Sequence, residues 1–187
     1  MVTDEPSATL PPYVDWPLFP FEGDLTVRQP ATYEGDAPRA GEPGGAECEA
    51  CARGDAGCIW ADDHWRVRSR AERSSVPALL FLETREHVDL DGLDDARAAE
   101  LGRLIVRLDR AVQAIGNIGR VQVYRWGDGS SHFHMWIYAR PVGAWNLLGF
   151  GMPLWEPILT PVPDDVWHAN LAVVARELAR GGGTALV

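Results

Sequence analysis

Two histidines separated by a single residue lie in a run of alternating polar and apolar side chains. The run is Ser131-His132-Phe133-His134-Met135-Trp136-Ile137-Tyr138-Ala139-Arg140-Pro141. Such alternation predicts a β-strand, in which residues two apart share one face and lie roughly 6.8 Å apart. His132, His134, Trp136 and Tyr138 would share a face, and the apolar residues between them would line the core. Near neutral pH, imidazoles can transfer protons, attack phosphorus or bind a metal ion.

A second pair of chemically capable residues is Cys48 and Cys51. Their two-residue gap lets both thiolates reach one tetrahedral ion from a tight turn, although such an ion requires two further ligands. Together with Cys58 they make three cysteines, an odd count that is not typical of a disulfide framework. A free dithiol on a loop is the alternative interpretation, and Cys58 is most simply a buried thiol.

The histidine run resembles the signature of the histidine-triad superfamily, in which three histidines alternate with apolar residues. Trp136 occupies the third position here. In that family the middle histidine, which is His134 here, attacks the α-phosphorus of a nucleotide and forms a covalent nucleotidyl-histidine. The resemblance implies a nucleotide hydrolase or nucleotidyltransferase with His134 as its nucleophile. The galactose-1-phosphate uridylyltransferase branch has glutamine at the third position and is active.

The same resemblance implies a zinc site. That branch and some bacterial histidine-triad proteins bind zinc through a cysteine pair, a histidine ahead of the central helix and the first signature histidine. The matching residues are Cys48, Cys51, His87 and His132. A closed site of four protein ligands is structural, because it leaves no position for water. Three ligands plus water would instead make the zinc a reagent, which is the metallohydrolase alternative.

Four residues are candidates for substrate binding. The segment 127–131 lies where family members have a turn that holds phosphate oxygens, which nominates Ser130 and Ser131. Arg125 could supply charge to a phosphate, and Trp136 is one of several tryptophans that could stack on a base. Each also has a structural interpretation, since a hairpin turn, a surface arginine and a core tryptophan are common features.

Two departures from the family pattern keep a second function open. Leu79 stands where typical members have a histidine that contacts the leaving group, and leucine cannot donate a proton. Trp136 can donate one N–H but cannot accept a hydrogen bond. Both permit a zinc-stabilised, non-catalytic nucleotide-binding or scaffold protein.

The flanking patterns predict an α+β domain with an antiparallel sheet of about five strands, a long central helix and a C-terminal helix. The predicted elements are two short strands around Asp62-Asp63-His64, a buried strand at 78–83, a helix with apolar positions from Leu101 to Ile115, a strand at 121–126 and a final helix from Asp164 to about Arg180. Asp91 or Asp94 can cap the central helix. The strand at 121–126 is expected to pair with the histidine run across an Asp-Gly turn.

The amino-acid composition indicates how the chain is divided into domains and which binding partners it favours. Residues 1–45 are rich in proline, glycine and acidic side chains, which predicts an irregular arm, and 46–187 are expected to form one domain with a C-terminal helical extension. A net charge of −10 disfavours polymeric nucleic acid, whereas a small nucleotide requires only a local pocket. The resemblance also implies a homodimer.

Two features bear on location. No apolar run approaches the roughly 18 residues of a membrane span, and the acidic N-terminus lacks the charged and apolar regions of a signal peptide. We therefore expect a cytoplasmic protein without a membrane partner.

Overall fold

The computed structural model describes residues 10–28 and 35–187. Six strands are present: β1 (Cys58–Ala61), β2 (Trp65–Ser69), β3 (Leu79–Thr84), β4 (Ile118–Tyr124), β5 (His134–Pro141) and β6 (Thr184–Ala185). They form one antiparallel sheet in the order β4-β5-β3-β2-β1-β6. The helices are α1 (Glu49–Arg53), α2 (Asp95–Gln113), α3 (Gly151–Trp155) and α4 (Asp164–Ala179), with short 3-10 turns between elements. The predicted α+β class, central helix and C-terminal helix are confirmed.

One face of the sheet packs against α2 and α4. This core contains Trp65 and Leu82 from the sheet, Leu108 from α2 and Val174 from α4, all almost fully buried. The helices supply these residues because their apolar positions recur at helical spacing. α2 begins where predicted, since the carboxylate of Asp94 accepts the backbone N–H of Arg97 at 2.8 Å.

The opposite face of β2, β3 and β5 carries polar side chains. Arg66 is the register partner of Glu83, and Glu83 is in turn the register partner of His134. Residues in register on neighbouring strands share one face. This face therefore brings charged groups and an imidazole together beside the core.

The histidine strand begins at His134, two residues later than predicted. The reason is local hydrogen bonding: the Phe133 N–H donates to the Val88 carbonyl at 2.7 Å, and the His132 N–H donates to Ser130 Oγ at 3.1 Å. Neither bond belongs to the sheet. His132 therefore lies on the loop before β5 and not, as predicted, on the strand itself.

The sheet has one strand more than expected. β6 pairs with β1 at the sheet edge, where Trp60 is opposite Ala185. A strand of two residues is too short to produce an alternation pattern in the sequence.

The predicted N-terminal arm is irregular where it is described, apart from a 3-10 helix at Pro12–Asp15. Parts of the arm, residues 1–9 and 29–34, lie outside the described residues. Residues 39–46 dock on the loop before β5, since the Ala40 N–H donates to the Gly129 carbonyl at 3.1 Å. Within the described ranges, no helix has the length and apolar character needed to cross a bilayer.

Candidate functional site

The four predicted metal ligands come together at one end of the sheet. Their ligand atoms all lie within 4.8 Å of one another. His132 Nδ1 is 3.5 Å from Cys48 Sγ and 3.4 Å from Cys51 Sγ, and Cys51 Sγ is 3.4 Å from His87 Nδ1. A tetrahedral zinc ion with Zn–S of about 2.3 Å and Zn–N of about 2.05 Å separates sulfur and nitrogen by about 3.5 Å. This Cys2His2 cluster therefore fits zinc in both donor type and spacing.

The cysteine pair is fixed to the sheet through a short helix. Cys48 is the N-cap of α1, and Cys51 lies within that helix. Gly54, directly after α1, accepts hydrogen bonds from Arg66 Nη1 at 2.6 Å and Arg68 Nη2 at 2.7 Å. Because both arginines are buried on β2, they tie the helix that carries the thiols to the sheet.

Hydrogen bonds turn both imidazoles towards the thiols. His132 Nε2 lies 2.8 Å from the Thr84 carbonyl, which can only accept, so the lone pair is on Nδ1. His87 Nε2 lies 3.2 Å from Ser131 Oγ. Such partners orient metal-binding histidines. Burial lowers the pKa of His132, which favours the neutral form that binds metals.

His134 is oriented differently. Its Nδ1 lies 2.9 Å from the His132 carbonyl, so Nδ1 carries the proton and Nε2 carries the lone pair. The half-buried ring lines a cavity of about 470 Å³ together with residues of α1, β2, β3 and the loop before β5. The other lining residues used below are Arg53, Arg68, Arg70, Phe81, Glu83, Gly129 and Ser130. A nucleophile or base at Nε2 is what this arrangement offers.

The cavity beside His134 has a charged floor. Arg68 and Glu83 are 2% and 4% exposed, and Arg68 Nη2 lies 3.2 Å from Glu83 Oε2. Neither residue was predicted from the sequence. The signal was present, because Arg66-Val67-Arg68 alternates in β2 and Glu83 is a lone charge in an apolar strand.

Of the four predicted substrate-binding residues, Ser130 lines this cavity and the other three lie elsewhere. Ser131 Oγ contacts His87 in the metal centre. Arg125 pairs with Asp89, and its guanidinium carbon lies 6.0 Å from the Phe133 ring centre. Trp136 packs edge-on against another aromatic ring, Phe81, at 4.5 Å between centroids.

The sequence matches no protein-family model and no curated protein. Solved structures do resemble it. A zinc-bound histidine triad family protein from Mycobacterium smegmatis is 21% identical, with a TM-score of 0.52 over 71% of this chain and 94% of that one. A histidine triad protein from Bradyrhizobium japonicum is 21% identical, with a TM-score of 0.53 over 71% and 97% of the two chains.

A hypothetical histidine triad nucleotide-binding protein from Sulfolobus tokodaii is 11% identical, with a TM-score of 0.52 over 71% of this chain and 93% of that one. The chain therefore has the histidine-triad fold, as the resemblance of its histidine run predicted.

Proposed function

We propose that this protein is a nucleotide hydrolase or nucleotidyltransferase that acts at an α-phosphorus through His134. The observation that carries the proposal is the 2.9 Å bond between His134 Nδ1 and the His132 carbonyl, which in the neutral ring places the lone pair on Nε2 in a residue that lines the cavity. Its volume of about 470 Å³ lies within the range of about 300–1,000 Å³ that is usual for small-ligand pockets.

The proposed reaction has two displacements. His134 Nε2 bonds to phosphorus as the bond from phosphorus to the leaving group breaks, and the Nδ1–H bond to the His132 carbonyl stabilises the positive ring. The oxygen of water or another acceptor then bonds to phosphorus as the bond from phosphorus to Nε2 breaks, and the proton of the acceptor passes to solvent. Ser130 and backbone N–H groups of the 127–131 loop would hold the phosphoryl oxygens.

Two arginines line the rim of the cavity, and each already has a carboxylate partner. The Arg53 side chain is 48% exposed and Arg70 is 36% exposed, whereas Arg68 is buried against Glu83. Exposed guanidinium groups can reorient to bind phosphate oxygens in a bidentate manner. We assign charge recognition to Arg53, because its ion pair with exposed Glu49 is long, at 3.9 Å. Arg70 is less available, since it hydrogen-bonds to buried Glu156 at 3.0 Å, and Arg125 is paired with Asp89.

We also propose one structural zinc ion, held by Cys48, Cys51, His87 and His132. Four protein donors within 4.8 Å of one another would fill a tetrahedral shell and leave no ligand position for water, which favours this role over the metallohydrolase alternative. When bound, the zinc supplies a crosslink between α1, the segment before α2 and the loop before β5. His134 is then free for chemistry.

Turnover assays test the proposal. A fluorogenic adenosine phosphoramidate and a dinucleoside polyphosphate are incubated with the protein and with His134→Ala. Hydrolysis of either substrate by the wild-type protein, with none by His134→Ala, supports the proposed enzymatic function. Nucleotide binding without hydrolysis by either protein would favour the non-catalytic alternative.

The cytoplasmic location, the homodimer and the lack of a polymeric nucleic-acid partner also remain proposals. The first agrees with three free thiols, and the last with the net charge of −10. Light scattering after size-exclusion chromatography tests the dimer.

A further inference from the structure

The turn formed by residues 39–46 packs over the metal centre. Its Ala40 carbonyl accepts the Ser131 N–H at 3.0 Å, and its own ends are closed by a 2.8 Å bond from the Gly41 N–H to the Ala46 carbonyl. Arg39 anchors the start of the turn, since its Nη1 lies 2.6 Å from Asp89 and 2.9 Å from the Gly127 carbonyl. The 39–46 turn is thus held on two sides of the site.

A hydrogen-bond relay runs from this turn to one of the candidate ligands. The Ala40 carbonyl can only accept, so the Ser131 hydroxyl, 3.2 Å away, donates to it. Ser131 Oγ then accepts from His87 Nε2 at 3.2 Å. This order of donors places the His87 proton on Nε2 and leaves the Nδ1 lone pair facing Cys51 Sγ.

Gly41 makes the close approach possible. Its φ is +91°, and a Cβ at this position would overlap His87 Cε1 and lie 2.9 Å from Ser131 Oγ. Gly44, in the same turn, has a similar φ of +85°, but the nearest atom to its Cβ position is a side-chain carbon of Pro38 at 3.7 Å. Of these two glycines, Gly41 is the one whose close approach to the metal centre leaves no room for a Cβ.

We propose that the 39–46 turn is an outer shell of the metal centre, in which Ser131 and Gly41 position His87 for metal binding. The inference rests on the proposed zinc site and is independent of the chemistry proposed for His134. His132 is oriented separately by the Thr84 carbonyl. A change in the turn should therefore weaken one ligand and leave the other three in place.

The first test measures zinc affinity by competition with a chromophoric chelator. Ser131→Ala is expected to bind zinc about 10- to 100-fold more weakly, the usual effect of removing a partner that orients a metal-binding histidine. Ser131→Thr retains the hydroxyl and should bind more tightly than Ser131→Ala. The control is Ser75→Ala, which removes a hydroxyl that bonds to the Glu156 carbonyl and to none of the four candidate ligands, and which should bind zinc like the wild-type protein.

The second test compares Gly41→Ala with Gly44→Ala. Both strain a backbone of positive φ, but only the first pushes a methyl group into His87. Gly41→Ala should lose zinc affinity by about tenfold or more and alter the visible spectrum of the cobalt-substituted protein. Gly44→Ala should keep both. Melting of the zinc-free forms separates general destabilisation from a specific effect on the metal.

The outcomes distinguish the two proposals. A wild-type protein that binds no zinc contradicts the metal site itself. If the wild-type protein and Ser131→Ala both bind one zinc ion with the same affinity, the outer-shell role of Ser131 is overturned and the metal site itself is supported. If Gly41→Ala does not fold, the zinc affinities of Ser131→Ala and Ser131→Thr decide whether the outer-shell proposal holds.

Discussion

His134 Nδ1 donates a hydrogen bond to the backbone carbonyl of His132 at 2.9 Å. The His132 side chain itself turns away towards Cys48 and Cys51 and is almost fully buried. Although both residues line the cavity, His132 belongs to the Cys2His2 cluster and His134 does not. Their substitutions should have different consequences.

His134→Ala should abolish turnover while zinc content and melting temperature stay close to those of the wild-type protein. Loss of a nucleophile typically removes several orders of magnitude in rate, because the covalent route has no substitute. His132→Ala should lose metal and stability first, and activity as a consequence. Metal analysis and thermal melting of both variants check this, and a reversed pattern would mean that the two roles are exchanged.

Chelation of the bound metal should lower the melting temperature, because binding of a structural ion contributes directly to folding. The protein purified without chelator should contain one zinc per chain. Cys51→Ala should lose it, whereas Cys58→Ala should keep it, since Cys58 lies in β1 outside the Cys2His2 cluster. Either of two results would contradict this prediction: wild-type protein that contains no zinc, or zinc-bound protein whose melting temperature does not change when the metal is chelated.

The leaving group should strongly influence the rate. Leu79 is fully buried opposite Tyr138 and has no proton to give. General acid catalysis is typically worth about 10²–10⁴-fold, so an alkyl phosphoramidate should react far more slowly than an aryl phosphate ester of the same nucleotide. Comparable rates for the two substrates would show that another residue supplies the proton.

Acid should weaken the anchor of the 39–46 turn. Burial tends to raise the pKa of Asp89, but the Leu90 N–H, Arg39 and Arg125 outweigh it and hold that pKa below its ordinary value. A carboxylate whose pKa is lower in the folded state stabilises the folded protein. Its contribution to the free energy of unfolding is fully present above the unfolded pKa of about 3.9 and is lost as the pH falls through the folded-state pKa.

Asp89→Asn should accordingly melt below the wild-type protein at pH 7, with a difference that narrows below about pH 4. Asp91→Asn is the matched control, because Asp91 is an exposed neighbour on the same segment. A difference between Asp89→Asn and wild type that stays constant down to pH 2 would exclude a role for the ionised carboxylate.

The central helix and the final helix could be predicted from the sequence because each leaves a local pattern. The Cys48–Cys51 pair could be read from its spacing, whereas His87 and His132 were added to it only by the resemblance to histidine-triad proteins.

The role of Ser131 could not be predicted. A loop hydroxyl bonds to whatever lies beside it, and here that is Ala40, which is 91 residues away. The partner of Arg125, Asp89, is likewise 36 residues away and outside any periodic pattern.

The charged floor of the cavity, Arg68 and Glu83, has a signal in the sequence, although neither residue was predicted to belong to the site. Arg66 and Arg68 alternate with buried Val67, which indicates a strand with a second, polar face. What the sequence does not contain is the register that sets Glu83 between Arg66 and His134. Register depends on the pairing of strands that are distant in the chain.

The most direct test of the central claim is the intact mass of the protein after brief reaction with a labelled nucleotide. The account predicts a mass increase of one nucleotidyl group, carried by His134 and absent from His134→Ala. Turnover without such an adduct, or an adduct that persists in His134→Ala, would contradict it.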